Sequence, residues 1–227
     1  MKRFLLAGVA AAAIGGLASM GTAHAAVMIS GSATPPITIS LDNLSTSPTQ
    51  GYQNSNPISG LPGGQSISFV AGSGTFKSGL YAGNISGENA SPFGSGDATD
   101  NYVVAQPGGG NVTVTYTSAR TAFTLLWGTV DSNPADYNLL TFNFGSGQTI
   151  DGAQIASALG IAGDGTINAQ VEITGLNPFT TVTATASNVA FEFVPATVPE
   201  PGSLALLGTG LLALGLLGWS HKRRRAG

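Results

Sequence analysis

The sequence predicts a mainly β protein: an antiparallel, jelly-roll-like β-sandwich between an N-terminal signal helix and a C-terminal transmembrane helix. Two observations predict the sandwich. Polar and apolar residues alternate in several short runs, as in strands that bury one face, and glycine- and proline-rich turn signals separate these runs. A third observation sets the ends apart, because each is an apolar segment beside cationic residues. We therefore divide the chain into residues 1–25, 26–197 and 198–227.

Residues 1–25 have the pattern of a secretory signal peptide, which is removed on export. Two cations precede an apolar run at residues 4–18. The segment closes on Ala23 and Ala25, small residues that signal peptidase accepts, so we expect the mature chain to begin at Ala26. A retained N-terminal membrane helix is the alternative, and the short apolar run disfavours it.

Seven segments of the body have the pattern of strands. They are residues 65–70, 111–117, 122–127, 139–144, 167–174, 181–186 and 189–194. One short helix is expected at residues 152–159, with Asp151 as its N-cap and Gly160 just beyond its end. Residues 42–64 and 83–101 lack periodicity, and we expect them to form long loops.

The body, residues 26–197, is acidic and lacks two catalytic residue types. It holds Lys77 and Arg120 against ten carboxylates, a net charge of about −8. Binding of nucleic acid needs many cations to neutralise phosphates, so this composition argues against it. The body also has no Cys and no His, since His24 and His221 lie in the end segments. Thiol nucleophiles, Ser-His-Asp triads and ordinary zinc sites lack their parts, and we expect neither an enzyme nor a cofactor.

The last segment has three parts. A Pro-Glu-Pro box, formed by Pro199, Glu200 and Pro201, precedes residues 203–219, which carry no charge. These 17 residues would span roughly 25 Å as a helix, close to the ~30 Å hydrocarbon core of a bilayer. Four cations follow: Lys222, Arg223, Arg224 and Arg225. Cations beside a short span stay on the cytoplasmic side, so we expect the body outside the inner membrane.

This three-part tail resembles the PEP-CTERM sorting signal. The body is similar to one family of exosortase-dependent surface proteins at the segments LWGTVD (126–131), NLLTF (138–142) and NVAFEF (188–193). The resemblance implies export by the Sec route and an intermediate anchored in the inner membrane. It also implies recognition of the Pro-Glu-Pro box by exosortase, a membrane cysteine protease, and transfer to the envelope, surface or exterior of a Gram-negative bacterium that makes exopolysaccharide. A plain C-terminal membrane anchor is the alternative.

Trp127, Asp131 and Tyr137 are a candidate ligand surface, because carboxylates beside aromatic rings suit sugars. A buried tryptophan followed by a polar loop is the commoner explanation of the same pattern. Hydrolysis of glycosides by Asp131 and Asp136 would need two carboxylates about 5 to 10 Å apart in a cleft. The sequence fixes no such distance, so carbohydrate binding is favoured over hydrolysis.

Aspartates in loops offer two weak candidates for Ca²⁺. Asp97 and Asp100 lie in one glycine-rich loop, and Asp164 lies between two glycines, with Asp151 upstream. Neither group has the spacing of an EF-hand. Aspartate before glycine or asparagine usually forms turns, so we expect no metal site.

Threonine occupies alternate positions in residues 113–117 and 181–185. Flat threonine arrays can bind ice, but alternating threonine is also typical of the solvent face of any strand, and two short runs do not make an array. We therefore expect an exported surface or matrix protein with a structural or adhesive role linked to exopolysaccharide. A carbohydrate-binding module is the alternative, and an ice-binding protein or a glycoside hydrolase is more distant.

Overall fold

The computed structural model describes residues 26–32, 41, 57–85, 88–94, 100–132, 137–143 and 147–196. Those ranges contain twelve strands and one α-helix. The strands are β1 (Met28–Ser32), β2 (Ile58–Leu61), β3 (Gln65–Val70), β4 (Gly79–Ala82), β5 (Asn101–Ala105), β6 (Asn111–Arg120), β7 (Phe123–Trp127), β8 (Asn138–Asn143), β9 (Gln148–Asp151), β10 (Ala169–Thr174), β11 (Phe179–Ala186) and β12 (Phe191–Pro195). The helix, α1 (Gly152–Leu159), lies between β9 and β10.

The strands form two six-stranded antiparallel sheets. Sheet A has the strand order β1-β10-β7-β12-β5-β4, and sheet B has the order β2-β3-β6-β11-β8-β9. The inner faces of the two sheets share one apolar core. The predicted antiparallel β-sandwich is therefore confirmed, while its jelly-roll-like topology stays a prediction.

Three phenylalanines of the core link the two sheets. Phe123 of sheet A contacts Phe142 and Phe179 of sheet B, with ring centroids 5.7 and 6.5 Å apart. Phe142 and Phe179 are 5.0 Å apart, and all three pairs meet edge to face. Such pairs contribute about 0.5–1.5 kcal/mol each beyond the burial of their area. This cluster holds the start of β7 against the middle of sheet B.

The predicted helix is confirmed with the bounds that its caps predicted. The Asp151 carboxylate accepts a hydrogen bond from the Gln154 backbone N–H at 2.8 Å, and the Gln154 side chain accepts from the Asp151 N–H at 2.9 Å. This reciprocal pair satisfies two donors at the helix start. Gly160 ends the helix with a φ of 66°, a left-handed conformation that glycine adopts readily.

All seven predicted strands are present, with ends shifted by a few residues. The alternation failed to predict β1, β2, β4, β5 and β9. Every residue of β4 and β5 is buried, so these strands show no alternation that a sequence pattern could detect. The expected loop at residues 42–64 was wrong where it covers β2, a four-residue strand with two buried ends.

The predicted signal helix and the predicted span at residues 203–219 lie outside the described residues. Within those residues, no helix is long and apolar enough to cross a membrane.

Candidate functional site

The segment at residues 126–131 lies at one end of the sandwich, where several parts of the fold meet. Gly128 donates its N–H to the Glu192 carbonyl at 2.8 Å, and a Cβ on Gly128 would also lie 2.8 Å from that oxygen. This close approach requires glycine. The next N–H, of Thr129, donates to the Asn168 side chain at 2.8 Å. The segment therefore joins β7 to β12 and to the loop before β10.

Trp127 is completely buried beneath this junction. Its ring packs on Phe191 with the centroids 4.5 Å apart. A buried indole offers no face on which a sugar could stack. Its burial removes Trp127 from the predicted ligand surface and agrees with the commoner explanation, a core tryptophan.

Glu192 points to the opposite face of sheet A from Phe191 and is only 3% exposed. The Ala90 N–H donates to one carboxylate oxygen at 3.1 Å, and the Thr129 hydroxyl lies 3.3 Å from the other. The pKa of Glu192 is raised to about 7, mainly by burial and in small part by the Asp131 charge, while the hydrogen bonds from Ala90 and Thr129 oppose the rise. Glu192 is a buried acid whose charge depends on pH near neutrality, and sequence reasoning had not singled it out.

Asp131 lies beside this buried acid but reaches the surface. Asn138 donates its side-chain N–H groups to the Asp131 carboxylate and to the Thr129 carbonyl, both at 3.2 Å. Partial burial raises the pKa of Asp131, and the hydrogen bond from Asn138 opposes that shift. The backbone of Asp131 pairs with Asp164 in an isolated β-bridge. Asn138 thus ties the start of β8 to this junction.

Tyr137, the third residue of the predicted ligand surface, is half-buried near the turn between β11 and β12. Its hydroxyl accepts a hydrogen bond from the Asn188 side chain at 3.2 Å, and its carbonyl accepts one from the Ser187 N–H at 3.3 Å. Tyr137 directly precedes Asn138, whose side chain donates to the Asp131 carboxylate. Asp136, the second carboxylate considered for hydrolysis, lies outside the described residues.

The two candidate calcium groups have different outcomes. Asp97 lies outside the described residues, and Asp100 is partly buried at the start of β5. Asp151 caps α1, and Asp164 accepts hydrogen bonds from the backbone and hydroxyl of Thr166, which lower the pKa of Asp164. In the part of the chain that the structure describes, no group of three or more His, Cys, Asp or Glu side chains is placed to hold a metal.

The outer face of sheet B brings together side chains that are far apart in the sequence. Its central strands bury valines and alanines and turn hydroxyl residues outward. We define the hydroxyl face as these eight residues: Ser66, Ser68, Thr113, Thr115, Thr141, Thr149, Thr181 and Thr183. They come from five neighbouring strands, from β3 to β9.

The strand register aligns these residues in rows. One row crosses all five strands: Ser68, Thr113, Thr183, Thr141 and Thr149 are partners in successive pairs. A second row has the order Ser66, Thr115, Thr181 and Asn143. Neighbours lie about 4.8 Å apart across the strands and roughly 6.7 Å apart along them. The two threonine runs that seemed too short to form an array are therefore the centre of a larger one.

The hydroxyl face carries no charge. Only two charged residues occur in the described strands of sheet B, Arg120 at the end of β6 and Asp151 at the end of β9. Two central hydroxyls, those of Thr113 and Thr183, are 3.3 Å apart and bond to each other. Most members are half-buried by their neighbours, so the face presents methyl and hydroxyl groups. Sequence reasoning missed Ser66, Ser68, Thr141 and Thr149 because only the register places them in rows.

Fold and surface together define a β-sandwich module in which the outer face of sheet B is lined with hydroxyl side chains. The family model of the PEP-CTERM protein-sorting motif matches residues 197–225. The chain therefore carries this sorting motif at its C-terminus, which implies an exported protein sorted by exosortase. Comparisons with curated proteins and with solved structures find no match.

The matched segment contains Pro199, Glu200 and Pro201 and the four cations predicted to stop transfer. These residues lie outside the described part of the chain, as do Ala23 and Ala25 at the predicted signal cleavage. Ala26 lies within it, two residues before β1. The resemblance of the body to surface proteins stays a prediction.

Glu192 gives a testable dependence of stability on pH. Between about pH 4.5 and 7 the folded protein retains a proton that the unfolded chain has released. The contribution of Glu192 to the free energy of unfolding is therefore highest below this range and falls as the pH rises through it, by on the order of 3 kcal/mol. We expect Glu192→Gln to remove most of this fall in denaturant titrations at pH 4.5 to 8.

The control is Glu172→Gln, because Glu172 lies on the same sheet but is exposed. It should keep the wild-type profile. A Glu192→Gln profile that is as steep as that of the wild type would contradict the assignment of the proton to Glu192.

Proposed function

We propose that the protein is an exported, non-enzymatic surface or matrix protein that adheres to a neutral exopolysaccharide through the hydroxyl face. The observation that carries this proposal is the five-residue row across sheet B, which ends on Ser68 and Thr149. The sorting motif supports delivery to the cell surface. The face supplies the contact once the protein is there.

The chemistry of the face suits a polymer rich in hydroxyl groups. Each Ser or Thr hydroxyl donates one hydrogen bond and accepts others, so a regular set of them can pair with sugar hydroxyls in either direction. The threonine methyl groups add apolar contacts to the sugar rings. No ionised group lies among them that would have to be desolvated when the polymer covers the face.

Charge selects among polysaccharides. With a net charge of about −8 the body repels an acidic polymer at low salt. The two cations of the body, Lys77 and Arg120, both lie outside the hydroxyl face, and Lys77 donates to the carbonyls of Gly72 and Gly74. A neutral polymer meets no such repulsion, so it is the favoured ligand.

A carbohydrate-binding module is the second candidate, and Tyr137 is the observation that favours it. This half-buried ring lies next to Asn188, and the following residue, Asn138, bonds to Asp131. Such a module would bind short soluble oligosaccharides in a local site. An extended face that contacts many sugars weakly would instead bind the polymer and bind short fragments only weakly.

We expect the double substitution Thr113→Val and Thr183→Val to weaken binding to an immobilised neutral polysaccharide at least several-fold. Valine keeps the shape and the high strand propensity but removes the two bonded hydroxyls at the centre of the face. Binding is measured by sedimentation with the insoluble polymer, and folding by thermal melts. Thr174→Val on sheet A is the matched control and should bind like the wild type.

Equal binding by the double variant and the wild type would contradict the role of the hydroxyl face. Loss of binding in Tyr137→Ala, with tight binding of short oligosaccharides, would favour the local site. Thermal hysteresis of the wild-type protein, lost in the double variant, would instead identify ice as the ligand of the same face.

A second prediction follows from the sorting motif. Mass spectrometry of the protein from its native host can check it by identifying the N-terminal and C-terminal residues. We expect an N-terminus at Ala26 and a C-terminus close to the Pro-Glu-Pro box, because signal peptidase and exosortase act there. An added mass at the new C-terminus would identify the attached group. A chain that is intact to Gly227 would show that the tail is only a membrane anchor.

A further inference from the structure

A third row of side chains borders the hydroxyl face, and it is not made of hydroxyls alone. Its residues are partners in successive pairs from β3 to β9, and each lies two positions along its strand from a member of the five-residue row. Side chains two positions apart share one side of a sheet. We define the mixed row as these five residues: Val70, Asn111, Thr185, Leu139 and Asp151.

The mixed row contains two pairs, each made of one aliphatic and one hydrogen-bonding side chain. Val70 is 54% exposed and is the cross-strand neighbour of Asn111. Leu139 and Thr185, both half-buried, are neighbours in the same way. Cross-strand partners have Cβ atoms about 4.5–5.5 Å apart, so one small group can touch both members of a pair. Each pair therefore offers an apolar contact beside a hydrogen bond.

The spacing of the two pairs matches a repeat in a polysaccharide. The first pair lies on β3 and β6 and the second on β11 and β8, which are successive strands of sheet B. The pairs are thus two strand spacings apart, about 9.6 Å, close to the length of two sugars in an extended chain. Successive sugars of an extended, β-linked chain are turned over, so every second sugar presents the same side. One substituent on that side can reach both pairs.

The substituent that suits these pairs is the acetamido group of an N-acetylated amino sugar. It has a methyl group, a carbonyl that accepts a hydrogen bond and an N–H that donates one. The side-chain amide of Asn111 has both donors and an acceptor, so it can bond to the carbonyl and to the N–H while Val70 contacts the methyl group. At the second pair, Thr185 and Leu139 supply the same two kinds of contact.

Charge separates the acetamido group from charged substituents. The mixed row holds no cation that could pair with a sugar acid. Its carboxylate, that of Asp151, lies at the end of the row and accepts the Gln154 N–H as the cap of α1. An ammonium group beside Val70 and Asn111 would lose water without gaining an ionised partner. The neutral, N-acetylated form is therefore the form that fits.

We propose that the mixed row recognises the acetamido groups of a neutral polysaccharide that contains N-acetylated amino sugars and lies across the strands of sheet B. The inference rests on the proposed function, because the hydroxyl face binds the sugar rings and the mixed row selects among them. It narrows the ligand from neutral polymers in general to those with an acetamido group on at least every second sugar.

Two polymers with the same linkage test this selection. One is a β-linked chain of N-acetylglucosamine, and the other is the β-linked glucose chain, which has a hydroxyl in place of each acetamido group. Both are used as swollen, non-crystalline particles, because a sheet twists by about 20–25° per strand and a single chain can follow that twist. The full-length protein, in a detergent without a sugar head group, is sedimented with each. We expect it to bind the acetamido polymer at least several-fold more tightly.

Two variants assign this preference to the mixed row. Val70→Thr and Asn111→Thr each remove one half of the first pair and keep high strand propensity. Each should lower the preference roughly two- to tenfold, the value of one lost contact, and leave binding to the glucose polymer unchanged. Val189→Thr is the matched control, because Val189 is an exposed valine in the turn before β12. It should keep the wild-type preference.

Equal binding of the wild-type protein to the two polymers would overturn the inference and leave adhesion by the hydroxyl face standing. A preference that both Val70→Thr and Asn111→Thr leave intact would do the same. Binding to neither polymer would overturn the inference together with the proposed adhesion, so the two failures are distinguishable.

Discussion

The register of β11 between β6 and β8 is the constraint on which both faces of sheet B depend. Side chains alternate along a strand, so this register sends Val182 and Ala184 into the core and Thr181 and Thr183 to the surface. A shift by one residue would exchange the two sets. It would bury threonine hydroxyls, at about 1–3 kcal/mol for each one left without a partner, and would expose the valine. The packing that stabilises the sandwich therefore also builds the hydroxyl face.

The two ends of the sandwich have different physical characters. At one end the junction around Gly128 closes over Glu192, and its hydrogen bonds hold a buried acid whose charge changes near neutral pH. At the other end both sheets hold Ala196, whose N–H donates to the Thr124 carbonyl and whose carbonyl accepts from the Gln65 side chain. Neither end interrupts the hydroxyl face, which lies on the outer side of sheet B. The buried acid and the proposed adhesive face thus lie in separate parts of the body.

Local patterns predicted much of this fold, and tertiary pairing decided the rest. Alternation predicted strands such as β6 and β11, and the caps at Asp151 and Gly160 predicted the two ends of α1. Strands buried on both faces, β4 and β5, gave no such pattern. The rows of hydroxyls could not be predicted, because they depend on which strands are neighbours. The sequence offered one indication that Glu192 is buried, because it is a single acid between two phenylalanines. The burial of Trp127 agrees with the commoner explanation of its sequence pattern.

The central claim is that the hydroxyl face is the surface that meets the polymer. Carbene footprinting of the mature protein tests it most directly, since photoactivated carbenes label exposed side chains of every type. The account predicts that a neutral polysaccharide lowers labelling several-fold in β3, β6, β8 and β11 and leaves β10 of sheet A unchanged. Protection confined to the region of Tyr137 and Asn188, or to sheet A, would contradict it.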